Sequence, residues 1–150
     1  MNRLLAALLL CIIAGTFYGG YVLLSPSSPN TARVEFGGAT LSVEVAKSTS
    51  DQQKGLSDRD SMANDHGMLF VFDSEANWGF WMKGMRFSLD IIWFDSQRHV
   101  VYIAQSLPPC TPEDCPIYTP PVKAMYVLEV NAGFVQKHNI VLGDTFQLFS

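Results

Sequence analysis

The sequence carries no charge over 21 consecutive, mainly apolar residues, from position 4 to position 24. At about 1.5 Å per residue, a helix of this length spans about 31 Å, which matches a hydrocarbon core of about 30 Å. A helix packed on a soluble domain would need a polar face, and this stretch has none. The sequence therefore predicts an N-terminal transmembrane helix over residues 1–24, a linker over 25–39 and an extracytoplasmic domain over 40–150.

A cleaved signal peptide is the main alternative to an uncleaved anchor. A basic start at Arg3, an apolar run and small residues at 14–16 are typical of such a peptide. Apolar residues resume after that point, which favours the anchor, and a leucine before Cys11 disfavours a lipoprotein. Because Arg3 precedes the segment and no basic residue follows it before Arg33, we expect the domain outside the cytoplasm. It is then membrane-anchored through residues 4–24, or secreted if the segment is cleaved.

The charge balance argues against a nucleic-acid partner. The whole chain has a net charge of −4. Without the first 30 residues only Arg3 is lost, so nine basic and fourteen acidic groups remain and the net charge is −5. Nucleic-acid binding depends on a cationic surface, which this composition does not provide. Since 48% of the residues are hydrophobic and 16% are charged, we expect a folded domain with a substantial core.

The body of the chain consists of short strand-like segments separated by turn residues. Residues 40–46 alternate apolar and polar side chains, which is typical of a strand with one buried face. The predicted strands are 40–46, 67–73, 78–83, 87–94, 99–105, 122–130 and 145–149, and the predicted short helices are 51–56 and 133–139. We expect a mainly β domain, a compact antiparallel sandwich or partly closed barrel with one or two short helices.

Two cysteines, Cys110 and Cys115, lie in a proline-rich loop formed by residues 106–121. In an exported domain a disulfide is the expected state of this pair. Closing so short a loop stabilises the fold by only about 2 kcal/mol, so its main role would be to fix the shape of the loop. A redox-active pair and a metal site are the alternatives. We expect no metal, because the three histidines lack ligand spacing, and no cofactor, because no phosphate-binding glycine loop is present.

Charged residues occupy positions where apolar ones are expected. Asp90 shares a predicted strand face with Ile92, and Glu129 shares a face of another predicted strand with Val127. Lys83 follows the most aromatic stretch of the chain, and Arg59 is a further cation that could join them. A buried carboxylate is costly unless it is paired, so these four residues form a candidate polar cluster. The cluster is either a pocket with shifted pKa values or, as we favour, a structural ion pair or outward-facing acids.

Aromatic residues near this cluster are candidate ligand contacts. Trp78 and Trp81 lie in the aromatic stretch, and Tyr118 lies in the proline-rich loop. Such rings can stack on a sugar ring, although packing in the core is the more frequent role of aromatic side chains.

Several short segments resemble one known family when they are taken in order. They are GLSDR at 55–59, GMLFVF at 67–72, FWMK at 80–83, LDII at 89–92, PPC at 108–110, CP-x-Y at 115–118, VLEV at 127–130, Gly133 and GD at 143–144. Together they resemble the domain-of-unknown-function family 192, small bacterial and archaeal proteins that are usually exported or membrane-anchored. The resemblance covers about residues 41–149 and implies a compact, mainly β domain. It implies no catalytic residues, because the activity of the family is not established.

The chain departs from the family pattern at two places. Ser57 stands where the family usually has methionine, and Gly84-Met85 stand where Asn-Thr usually follows the Trp-Met-Lys run. A site to which that Asn-Thr pair contributed would be altered in this chain.

Two classes of function follow from these residues. The first is a binding or structural module of the cell envelope, with a glycan or a peptide as its ligand. The second is an envelope hydrolase that uses Asp90 or Glu129 as a general base beside Lys83. We favour the first class, because no nucleophile–base pair can be assembled from the sequence. The two classes differ in whether the candidate polar cluster converges in an open cleft.

Overall fold

The computed structural model describes residues 30–149, which form one sheet and two short helices. The strands are β1 (Thr31–Phe36), β2 (Ala39–Ala46), β3 (His66–Ala76), β4 (Leu89–Phe94), β5 (Val100–Leu107), β6 (Ala124–Asn131) and β7 (Gln147–Phe149). The helices are α1 (Thr49–Lys54) and α2 (Phe134–Lys137). The transmembrane helix predicted over residues 1–24 lies outside the described residues. Within 30–149, no helix has both the length and the apolar composition needed to cross a membrane.

The seven strands are hydrogen-bonded in the order β5-β4-β6-β3-β2-β1-β7. Neighbouring strands are antiparallel except β2 and β3, which run parallel and are joined by a crossover that contains α1. The prediction of a mainly β domain with two short helices is confirmed. The prediction of a sandwich or partly closed barrel is wrong, because all seven strands join one open sheet that ends at β5 and β7. β1 lies within the segment predicted as a linker.

The sheet is the middle layer of the domain, with apolar side chains on both faces. All six residues of β4 are buried, because Ile92 and Phe94 pack on one face and Ile91 and Trp93 on the other. The first face is covered by α2 and the residues that follow it. The second face is covered by Leu56, which follows α1, and by the loops that precede β4. Neighbouring residues of one strand therefore belong to two separate environments.

The proline-rich loop is closed by the predicted disulfide between Cys110 and Cys115, whose Cα atoms are 4.9 Å apart. Its Tyr118 forms a backbone bridge with Phe80, in which each residue donates an N–H to the carbonyl oxygen of the other. This bridge explains a further difference from the prediction. Residues 78–83 form a loop rather than a strand, since their backbone pairs with the proline-rich loop and not with the sheet.

Candidate functional site

A cleft of about 230 Å³ opens on the second face of the sheet. One wall is α1 with the residues that follow it, and the other wall is residues 78–81, called here the aromatic loop. The floor contains Phe70 and Phe72 of β3 and Glu129 of β6.

The α1 wall is fixed by side-chain hydrogen bonds to the backbone. The Ser48 hydroxyl accepts a hydrogen bond from the N–H of Asp51 at 3.1 Å and thereby caps the first turn. The Gln52 amide donates to the carbonyl oxygen of Val71 at 3.0 Å, which ties the helix to β3. Gly55 ends the helix with a φ of 49°, a conformation that favours glycine. The helix thus begins two residues before the predicted start at 51.

The aromatic loop is fixed from two sides. The indole N–H of the buried Trp93 donates to the carbonyl oxygen of Trp78 at 2.9 Å. In the bridge between Phe80 and Tyr118, the nitrogen of Phe80 lies 3.0 Å from the carbonyl oxygen of Tyr118, and the nitrogen of Tyr118 lies 2.7 Å from the carbonyl oxygen of Phe80. The disulfide-closed loop therefore supports this wall through its backbone. Tyr118 is not among the residues that line the cleft, whereas Trp78 and Trp81 are.

The aromatic rings of the cleft pack closely on one another. Trp78 stacks on Phe72 with ring centroids 3.9 Å apart, and Phe80 meets Phe70 edge to face at 4.8 Å. Trp81 is 50% exposed at the rim. Because the rings hold one another and their backbone is anchored, this wall is formed without a ligand.

Glu129 is the polar residue on the floor of the cleft. Its direct neighbours across β6 are Met68 of β3 and Ile91 of β4, both apolar. The residue is only 5% exposed, and its Oε2 atom has no hydrogen-bond partner among the described residues. Burial raises the pKa of the Glu129 carboxyl to about 8, and the nearby charge of Arg59 opposes that rise. At neutral pH most of this side chain is therefore protonated.

The Arg59 guanidinium is already paired with another carboxylate. Two of its nitrogens donate to the two carboxylate oxygens of Glu44, with Nη2 at 2.8 Å from Oε2. These hydrogen bonds lower the pKa of Glu44 and raise that of Arg59. Asp58, just before Arg59, has a φ of 65° and donates its N–H to the carbonyl oxygen of Gly84 at 2.8 Å, which fixes the position of this loop.

Asp90 lies on the opposite face of the sheet from Glu129. It pairs with Val130, whereas Glu129 pairs with Ile91, so the two carboxyl groups point in opposite directions. The Asp90 side chain is fully buried, and Oδ1 accepts from the N–H of Ser106 at 2.8 Å. Oδ2 accepts from the N–H of Val135, in the first turn of α2, at 2.9 Å. Asp90 thus joins β4 to β5 and to α2, and its place in the fold is structural.

Lys83 is exposed on the aromatic side of the cleft. Its Nζ lies 5.7 Å from the centroid of the Trp81 ring, and it does not line the cleft. Of the four residues of the candidate polar cluster, the structure thus brings together Arg59 and Glu129. It places Lys83 at the exterior and Asp90 across the sheet.

The two departures from the family pattern are neighbours in space. Ser57 and Met85 both line the cleft, and the Ser57 hydroxyl donates to the carbonyl oxygen of Lys83 at 3.0 Å. Gly84 has a φ of 72°, and a Cβ placed there would lie 3.2 Å from the Cβ of Ser57. Both altered positions therefore belong to the rim of the cleft.

Glu44 is the member of the site that the sequence did not reveal. It lies on the polar face of the predicted strand 40–46, which is typical of a solvated side chain. The parallel pairing of β2 with β3 places Glu44 beside Met68, whose other neighbour is Glu129. The alternation of β2 therefore indicates that Glu44 belongs to this site only when the register between β2 and β3 is known.

Comparisons with known proteins agree on one family. The profile of DUF192, described as "Uncharacterized ACR", matches residues 32–148. The UPF0127 protein TK1120 of Thermococcus kodakarensis is 32% identical over 82 residues, which are 53% of this chain and 48% of that protein. The aligned part thus spans about half the length of this curated relative.

Two solved structures share the fold. A protein of Sinorhizobium meliloti 1021, described as a candidate transcription regulator, has a TM-score of 0.75 and 32% identity, covering 82% of this chain and 97% of that one. A protein of unknown function from Novosphingobium aromaticivorans DSM 12444 has a TM-score of 0.70 and 28% identity, covering 78% of this chain and 83% of that one.

Proposed function

Because the chain belongs to the DUF192 family of uncharacterised proteins, we propose its function from its own cleft. The protein is a ligand-binding module of the cell envelope, and the cleft holds a group of a glycan or a peptide between α1 and the aromatic loop.

The observation that carries this proposal is the unpartnered carboxyl of Glu129 on an aromatic floor. Burying a polar group without a hydrogen bond costs about 1–3 kcal/mol, so unpaired groups are rare in folded interiors. Ligand sites commonly have apolar walls and few polar groups that fix the orientation of the ligand. Glu129 shares the lining of the cleft with Trp78 and Phe72, which matches that description.

The size of the cleft supports a small group rather than an extended chain. Its volume of about 230 Å³ is below the range of about 300–1,000 Å³ that is usual for whole drug-sized ligands. A single sugar ring or one peptide side chain fits such a space, and the rest of a longer ligand would lie outside it. The exposed Trp81 and Ile117 are available there for contacts with the remainder.

The envelope location rests on the uncharged run at 4–24 and on the disulfide, which is typical of oxidising compartments. The net charge of −4 disfavours nucleic acid, so we do not extend the description of the Sinorhizobium meliloti relative to this chain.

We expect an alkaline phosphatase fused after Ser150 to be active and a green fluorescent protein fused there to be dark. Both results follow if the chain is exported through the general secretory pathway. Alkaline phosphatase needs disulfides that form outside the cytoplasm, and the fluorescent protein does not mature when it is exported unfolded. A bright fluorescent fusion with an inactive phosphatase would place the domain inside the cell and contradict the envelope proposal.

Trp78→Ala is expected to weaken ligand binding by about 10-fold or more, because stacking of one aromatic side chain on a ligand contributes about 1–3 kcal/mol. The measurement is a screen of envelope glycans and peptides with the full chain, followed by titration of the best ligand. Phe149→Ala removes another partly exposed ring, on β7 at the far edge of the sheet, and is the matched control. Equal affinities of the two variants, or no ligand in the screen, would count against the cleft as a binding site.

An envelope hydrolase is the second candidate, favoured by the raised pKa of Glu129. A carboxyl that is protonated at neutral pH is suited to a general acid, rather than to the general base expected from the sequence. Lys83 at the exterior and Asp90 on the opposite face of the sheet are not placed to assist it. Cleavage of a glycoside or peptide by the full chain, abolished by Glu129→Gln, would favour this candidate over simple binding.

A further inference from the structure

The acid on the floor of the cleft is adjacent to charges that already balance each other. Arg59 contributes one positive charge, and the carboxylate of Glu44, bound through both oxygens, cancels it. Lys54 lines the cleft from the last turn of α1, and its charge lowers the pKa of Glu44. Across the neighbouring strands Glu129 faces only Met68 and Ile91. An ionised Glu129 would therefore have no hydrogen-bonded cation among the described residues.

The walls around this acid are suited to a cation. The faces of aromatic rings carry negative electrostatic potential and attract ammonium groups, by about 0.5–2 kcal/mol for each contact. Phe70, Phe72, Trp78 and Phe80 all line the cleft. No basic side chain of the described residues hydrogen-bonds to Glu129, which lines the cleft, so no internal cation competes with a ligand for its carboxyl.

We propose that the cleft binds a protonated amine carried on a small body, such as an amino sugar or a lysine side chain, with Glu129 as its counter-ion among the aromatic rings. This inference rests on the proposed ligand-binding function and specifies its ligand class. An anionic ligand would reach Lys54 at the α1 wall, but it would lie against the acid of Glu129 on the floor. A neutral sugar would use Glu129 only as a hydrogen-bond donor.

Binding of the amine exchanges one proton with the solvent. The protonated carboxyl of Glu129 loses its proton to water, and the resulting carboxylate pairs with the ammonium, which keeps all of its own protons. One proton is therefore released for each ligand bound while the pH lies below the pKa of the free site. By linkage, the dissociation constant falls by about 10-fold for each pH unit in that range.

The experiment is calorimetric titration of the full chain at pH 6, 7 and 8 with two matched pairs of probes. Glucosamine is compared with N-acetylglucosamine, and Nα-acetyl-lysine amide with the corresponding norleucine amide. We expect one or both amines to bind more tightly than the neutral partner. The affinity for the lysine amide rises with pH, because its ammonium group stays protonated to about pH 10. The amine of glucosamine is a weaker base and loses its proton at about pH 8, so that pair is compared at pH 6 and 7. The pair that responds identifies the source of the amine as a sugar or a lysine side chain.

Glu129→Gln keeps the shape of the side chain and removes its charge. We expect it to weaken amine binding by about 10-fold or more, since a hydrogen bond to a charged group contributes about 1.5–3 kcal/mol, and to remove the pH dependence. Glu35→Gln, an exposed carboxyl on β1, is the matched control and should change neither. The pH dependence of the wild type tests the proposal without any variant.

Neutral probes that bind as tightly as the amines, without a pH dependence, would overturn the amine inference and leave the cleft as a binding site. Amines that bind with the same affinity to the wild type and to Glu129→Gln would also overturn it. If none of the four probes binds, the amine inference fails, while the broader glycan and peptide screen still decides whether the cleft binds a ligand.

Discussion

Asp90→Ala is expected to lower the free energy of unfolding by about 4 kcal/mol. The substitution leaves the backbone N–H groups of Ser106 and Val135 without their acceptor in the interior, and each unpaired donor costs about 1–3 kcal/mol. The local backbone geometry explains why both N–H groups use a side chain as their acceptor. Ser106 has a φ of 54° and lies where the ladder between β4 and β5 shifts its register. Val135 lies in the first turn of α2, and Gly133, which precedes this helix, has no side chain to cap it.

The measurement is urea unfolding of the full chain, monitored by tryptophan fluorescence. Asp90→Asn retains one acceptor oxygen and should lose about half as much stability as Asp90→Ala. Asp73→Ala removes an exposed carboxyl that makes no hydrogen bond in the described structure, and its effect should stay within about 0.5 kcal/mol. If Asp90→Ala unfolded at the same urea concentration as the wild type, the structural role of Asp90 would be contradicted.

The faces of individual strands could be predicted from the sequence, but their relation to one another could not. Alternation correctly put Asp90 with Ile92 on one face of β4 and Glu129 with Val127 on one face of β6. Whether the two acids share a face depends on the register between β4 and β6, and a shift of one residue would reverse the answer. A single sequence carries little information on register, since many pairings satisfy the same hydrophobic pattern.

The walls of the site show the same limit. The aromatic stretch 78–83 has the composition of a strand, yet its backbone forms a loop because Phe80 pairs with Tyr118 of the proline-rich loop and not with the sheet. Two short helices were predictable from caps and turn residues, since these signals are local. The partner of Arg59 was not, because Glu44 approaches it only through the parallel pairing of β2 and β3. Contacts between distant segments decide the site, and local patterns do not encode them.

The ligand-free protein is expected to lose stability as the pH rises from about 4.5 to about 8, the interval between the ordinary and the folded pKa of Glu129. In this interval the unfolded chain releases the proton of Glu129, whereas the folded chain retains it. The folded state therefore binds more protons, and the free energy of unfolding falls with pH. The total loss is at most about 5 kcal/mol, at about 1.4 kcal/mol for each unit of pKa difference. Glu44 has a lowered pKa, so its contribution is lost at lower pH, below about 4.5, and does not mask this effect.

Glu129→Gln removes the titrating group and is expected to flatten the stability profile across this interval. At pH 5 the variant and the wild type should unfold at similar urea concentrations. At pH 9 the variant should be the more stable by several kcal/mol, because its neutral amide avoids the cost of a buried, unpaired charge. Glu35→Gln should keep the slope of the wild type, since Glu35 is exposed. Parallel profiles for the wild type and Glu129→Gln would mean that folding leaves the pKa of Glu129 at its ordinary value, and would contradict the raised pKa. A falling profile for the wild type beside a flat profile for Glu129→Gln would show that ionisation of Glu129 destabilises the ligand-free protein. A bound cation would offset this destabilisation.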